Sequence, residues 1–119
     1  MNTIFHVTAA ADWRAAQTTG TYRLSTRGQT LDDVGFIHAS YAHQVTRVAN
    51  AIYSGVPGLV LLVIDRQRVT APIRDESPAR GSERYPHIYG PLNLDAVIEV
   101  LPFEPSADGT FTLPETLRI

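Results

Sequence analysis

Leu59-Val60-Leu61-Leu62-Val63-Ile64 is a run of six apolar side chains followed by the polar residues Asp65, Arg66, Gln67 and Arg68. Such a run has no polar face, so it is expected to form a strand buried on both sides, with the polar residues turning the chain at its end. A strand covered twice needs packing layers above and below it, and the flanking sequence offers them. Upstream, Val45, Val48, Ala49, Ile52 and Tyr53 fall at helical spacing while Gln44, Arg47 and Asn50 lie off that stripe. Ser40 is the expected N-cap of this helix, and Gly55 and Pro57 end it. Residues 3–7 read as a first strand and residues 9–17 as a helix capped by Thr8, with Trp13 and Ala16 on one face and Gly20 after its end. Residues 23–34 are polar and aperiodic and read as loop, and residues 35–38 as a second short strand. Downstream, residues 69–73 predict a short strand, 75–85 an irregular loop, 87–89 a return to the core and 96–103 a long strand. Asp108-Gly109 is a turn signal with residues 110–113 expected as the hairpin partner. This order predicts a single α+β domain over residues 1–119, a small, mixed, mostly antiparallel sheet carrying two helices.

The 119 residues are 44% hydrophobic and 18% charged, the composition of an ordinary globular chain. A net charge of −2 argues against extended nucleic-acid binding, which needs a basic surface, but leaves room for a single nucleotide. All ten basic residues are arginine, and there is no cysteine, which excludes disulfides, thiolate catalysis and cysteine-ligated zinc. No basic leader precedes an apolar segment, and no apolar run approaches the roughly 20 residues of a membrane span, so the expected location is cytoplasmic and no membrane partner is expected.

Histidine carries the functional signal. His6, His38 and His87 each sit in a short apolar, strand-like segment, whereas His43 lies among polar residues of a helix. Imidazole titrates near neutrality, both donates and accepts hydrogen bonds, and is costly to bury without a partner. Each strand histidine therefore reads either as functional or as a satisfied structural residue. Their spacing matches no metal motif, although three strands can bring three imidazoles together as a zinc triad. Ser40 stands where a strand meets a helix, a place where free N–H groups either receive a phosphate or are simply capped. Arg74 and Glu76 border the apolar residues 69–73 and are expected to point inward, while Arg80 and Glu83 read as solvated. Tyr89 can stack on a ligand ring or fill the core.

Ile4-Phe5-His6-Val7-Thr8, the Trp13 helix, Gly35-Phe36-Ile37-His38-Ala39-Ser40 and Pro86-His87-Ile88-Tyr89-Gly90-Pro91-Leu92 together resemble a family of small uncharacterised bacterial proteins, a domain of unknown function of the DUF952 kind. The resemblance covers nearly the whole chain, and the last motif is its most specific part. More distantly the arrangement is similar to the ADP-ribosyltransferase fold, a split, strand-rich structure that grips NAD in a cleft. That resemblance implies NAD, as a substrate, or another small nucleotide as the ligand, with no metal. It implies that His6 holds ribose hydroxyls, that His38 lines the reacting ribose, and that His87 or Glu76 assists proton transfer. Ser40, Arg74 and Tyr89 then complete the substrate-binding set. The chain departs from the pattern in one respect: where a late strand usually carries a catalytic glutamate, residues 87–89 contain no acid. RNA 2′-phosphotransferases share the paired histidines without the glutamate, but their arginine pattern is not clearly matched. The expected function is thus binding of NAD or an ADP-ribosyl nucleotide with transfer of ADP-ribose to a small molecule or nucleotide phosphate. The alternatives are a non-catalytic nucleotide-binding module and a three-histidine metal hydrolase.

Overall fold

The structure, a computed structural model, describes residues 2–77 and 83–117. Its central strand is the apolar run. Here β1 is Thr3–Ala9, α1 Ala10–Thr19, β2 Thr21–Tyr22, β3 Leu24–Thr26, β4 Gln29–Thr30, α2 Leu31–Val34, β5 Ile37–His38 and α3 Ala42–Ile52. They are followed by β6 Leu59–Asp65, β7 Ile73–Glu76, β8 Tyr85–Ile88, β9 Leu92–Asn93 and β10 Val97–Phe103. The main sheet has the order β1-β6-β10, with His6 opposite Leu62 and Leu62 opposite Val100. A second three-stranded sheet has the order β5-β8-β7. It meets the first at a bridge in which Phe5 and Ser40 exchange backbone hydrogen bonds of 2.7 and 2.8 Å. Every strand pairing among the described residues is antiparallel.

Burial on both faces of β6 follows from its alternation. Leu62 and Ile64 join Ile4, Trp13, Tyr22, Ile37, Ile88 and Leu92 in one core, under α1 and the second sheet. Leu59, Leu61 and Val63 join Phe5, Val7, Val45, Ala49, Tyr53, Phe103 and Phe111 in another, under α3. The α+β architecture, the burial of Trp13 and Ala16, and the left-handed Gly20 closing α1 agree with the sequence pattern. No helix among the described residues is long and apolar enough to cross a membrane.

Local expectations fail where strand pairing or a side chain takes over backbone bonding. Thr8 is a buried β1 residue, and α1 starts from Ala9 without a side-chain cap. Ser40 is likewise held by the bridge to Phe5, so α3 begins after Tyr41, whose N–H donates to Gln44 Oε1 at 2.9 Å. That bond also explains why Gln44, off the apolar stripe, is buried. Within residues 23–34, read as loop, two short strands and the single-turn α2 form, the latter closed by reciprocal bonds between Thr30 and Asp33. The expected strand at 69–73 begins only at Ile73 and extends through Asp75 and Glu76, which the sequence placed in a loop. The Asp108-Gly109 turn is present, but residues 110–113 form no strand. Instead Phe111 N–H donates to Asn50 Oδ1 at 2.7 Å, and Asn50 Nδ2 donates to the Phe111 carbonyl at 3.3 Å. An amide side chain on α3 thereby replaces a hairpin partner.

Gly90 has a steric reason. A Cβ there would lie 2.8 Å from the Ala71 Cβ. Gly90→Ala is expected to lower stability by about 1–3 kcal/mol, read as a lower urea midpoint. In an Ala71→Gly background the same change should cost less, the remainder being the strain of a side chain at φ +159°, and an equal cost in both backgrounds would refute the clash.

Candidate functional site

Strand alternation builds the site. In the β5-β8-β7 sheet, His38 stands opposite His87 and His87 opposite Arg74, while Tyr85 stands opposite Glu76. Side chains two apart share a face, so Phe36, His38, Arg74, Glu76, Tyr85, His87 and Tyr89 line one side. Ile37, Ile73 and Ile88 line the other and pack into the first core. The rings on the polar side touch: Phe36 stacks on His87 with centroids 3.9 Å apart and 16° between planes, and His38 lies 5.5 Å from both His87 and Tyr85. The Arg74 guanidinium sits 5.3 Å from the centre of the Tyr89 ring. Glu76 Oε1 accepts from His87 Nδ1 at 2.9 Å and from Tyr89 O–H at 2.5 Å. These bonds, Tyr89 first and His87 second, hold the Glu76 carboxyl below its ordinary range.

His6 adjoins this face through the backbone. Its Nδ1 lies 2.5 Å from the His38 carbonyl oxygen and its Nε2 lies 2.6 Å from the Tyr22 hydroxyl. A carbonyl only accepts, so Nδ1 carries the proton, Nε2 accepts, and Tyr22 O–H is the donor. Burial pushes the His6 pKa down to about 4, against the raising effect of that carbonyl. Burial also brings His38 down to about 4, with the nearby His87 adding to the shift. Both rings are therefore neutral at physiological pH. Burial likewise raises the Tyr22 hydroxyl, which stays protonated.

A cavity of about 380 Å³ opens beside His6 and Tyr22, walled by Thr8, Asp12, Arg27, Tyr53 and Leu59, among others. Arg27 crosses its rim, donating to the Ile52 carbonyl at 2.9 Å with its guanidinium 5.8 Å from the Tyr53 ring centre. A narrow slot, with room of only about 10 Å³, is lined by His6, His38, Ser40 and Tyr53. His6, His38, His87, Glu76, Tyr89 and Arg74 are linked by successive contacts, with Ser40 beside His6 and His38 at the slot, and of these seven only His6 lines the cavity. His43 is apart, exposed and paired with Glu83 at 3.1 Å. Glu83 also pairs with Arg47, in keeping with a solvated residue. Arg80 lies outside the described residues. Among the described residues no three histidine, aspartate or glutamate side chains gather as a metal cage.

Sequence reasoning missed Tyr22, Phe36, Tyr85 and the brace in which Tyr41 and Arg66 hold Asp75. Arg66 Nη2 donates to Asp75 Oδ2 at 3.0 Å, and Tyr41 O–H donates to Asp75 Oδ1. Period-two spacing through 36/38, 74/76 and 85/87/89 was the available signal for the aromatic face. Nothing local marks Tyr22, whose partner is 16 positions away.

The chain is similar to protein CC0527 from Caulobacter crescentus. Its X-ray crystal structure superposes with a TM-score of 0.85 at 29% identity, over 98% of this chain and 99% of that one. The solution NMR structure of CC0527 gives a TM-score of 0.80 at 30% identity, over 98% and 97%. No curated protein matches the chain. The model of the family described as "Protein of unknown function (DUF952)" matches residues 7–100, and the chain belongs to that family.

Proposed function

We propose that this chain binds NAD or a related ADP-ribosyl nucleotide and transfers ADP-ribose to a small molecule or a nucleotide phosphate. The observation that carries the reading is the run of contacts from His6 through His38 to the His87–Glu76 pair, with a cavity opening beside His6. Two three-stranded antiparallel sheets meeting at one bridge also suit the split architecture that the sequence motifs resemble. About 380 Å³ is enough for part of a nucleotide.

The electrostatics fit glycosyl transfer. Its transition state is cationic at the ribose, so a cationic imidazole beside it would be repulsive, whereas neutral His38 and ionised Glu76 are compatible. In the reaction the C1′–N bond breaks and nicotinamide leaves as a neutral base with the electron pair. The acceptor oxygen forms the new C1′–O bond, and its proton passes to an imidazole. Positioning supplies most of the rate, with no covalent nucleophile required. Arg74 over Tyr89 offers a guanidinium for phosphate next to a ring for stacking. His6, with both ring nitrogens engaged, then reaches the ribose end beside Ser40 only through the Tyr22 hydroxyl that it holds, and not by bonding ribose hydroxyls itself.

Calorimetry with NAD, ADP-ribose and AMP tests the binding step. Saturable binding is expected for the parent, and His38→Ala should weaken it about tenfold, the worth of one hydrogen bond, with an unchanged circular dichroism spectrum. Binding of none of the three, or equal binding by the variant, refutes the site. Nicotinamide release from NAD then tests turnover, and NAD binding without release identifies a non-catalytic module.

A further inference from the structure

We infer that Glu76 is a positioning residue for His87, and that His87 Nε2 is the atom that takes the acceptor's proton. The inference rests on the transfer reading for its chemistry, but its geometry stands independently. One carboxylate oxygen, Glu76 Oε1, receives both His87 Nδ1 at 2.9 Å and Tyr89 O–H at 2.5 Å. A carboxylate only accepts, so Nδ1 carries hydrogen and, in the neutral ring, Nε2 carries the free electron pair. Water alone favours the opposite tautomer, with hydrogen on Nε2 and no base on that side.

Everything around the ring removes its freedom. Phe36 lies flat against one face at 3.9 Å, and His87 is 6% exposed at the centre of its sheet. Tyr89 fixes the carboxylate while the carboxylate fixes the imidazole, and Glu76 and His87 stand on one face of two paired strands. A purely structural histidine needs one satisfied nitrogen; this arrangement selects which nitrogen carries the lone pair. The neighbouring imidazole, His38, whose ring lies 5.5 Å from that of His87, is the one proposed to stand beside the reacting ribose. An acceptor hydroxyl attacking there gives its proton to Nε2 as the C1′–O bond forms, and Glu76 stabilises the resulting imidazolium without itself being protonated. The chain thus has a carboxylate at the reaction, reached through a histidine instead of standing within residues 87–89.

Nitrogen-15 NMR of the His87 ring tests the inference without any nucleotide. The parent should show the Nδ1–H tautomer. Glu76→Gln keeps an accepting oxygen and should retain it, while Glu76→Ala should revert to Nε2–H. A parent in the Nε2–H form, or Glu76→Ala unchanged, overturns the assignment. In nicotinamide release, Glu76→Ala should lower kcat by about 10²- to 10³-fold with KM within a few-fold, since the group acts on proton transfer. Glu76→Gln should fall between the two. Unaltered kcat in Glu76→Ala overturns the positioning role. A parent that releases no nicotinamide sinks the transfer reading, and the tautomer spectrum then decides the role of Glu76 on its own.

Discussion

Lowering the pH from 7 to 4 is expected to remove about 3 kcal/mol of folding stability through His6 alone. In the unfolded chain this imidazole titrates at its ordinary 6.5; in the fold, burial brings it down to about 4. Above pH 6.5 both states are neutral and the full stability is present. Between 6.5 and 4 the unfolded chain binds a proton that the folded one refuses, so stability falls as pH falls. Below about 4 both states are protonated and His6 contributes no further change. His38, also near 4, acts in the same direction over the same window. The carboxyls of Asp75 and Glu76, both depressed, titrate in the unfolded chain near 3.8 and 4.5 and add their losses only toward the acid end. Urea unfolding at half-unit steps from pH 7 to 4 separates these groups by window. The midpoint should decline steeply from pH 6.5 to 5, where carboxylates contribute little. His6→Gln should start less stable but decline less steeply. A parent curve flat from pH 6.5 to 5 would show that the imidazole is not buried neutral, and with it the tautomer deduced for His6 would fall.

The part of the fold written in periodicity was legible. Six consecutive apolar residues imply a doubly covered strand, and the 45/48/49/52/53 stripe implies α3 and the face it buries. What the sequence could not display were hydrogen bonds to distant parts of the chain. Asn50 on Phe111 replaces a hairpin, and the bridge to Phe5 displaces Ser40 from the cap position; both depend on partners tens of residues away. The site divides the same way. His38, His87 and Glu76 were nameable because apolar neighbours made their polar chemistry conspicuous. Which nitrogen of His87 is free, and that Tyr22 saturates His6, depends on cross-strand register, which no single segment encodes.

Leu62→Ala should cost about 3–4 kcal/mol, a large share of the roughly 5–15 kcal/mol that holds a domain of this size. The side chain is fully buried at the middle of the central strand, and truncation leaves a hole lined by residues of both sheets and α1. At about 2 kcal/mol per molar of urea, the midpoint should drop by about 1.5–2 M. Val100→Ala, directly opposite on the edge strand but 37% exposed, should change stability by less than about 1 kcal/mol. The contrast measures how the Leu62 face of β6 is covered, since two neighbours in one register differ chiefly in what lies over them. It also reaches the site, because Leu62 stands opposite His6 on β1 with both side chains on one face. Tyr22 and His38 bond the imidazole, and this leucine is its cross-strand neighbour. Leu62→Ala and His6→Gln should therefore be non-additive by more than about 0.5 kcal/mol in a double-mutant cycle. Strict additivity would mean that the core and the histidine pack independently. In that case burial by the central strand would not be what keeps His6 neutral.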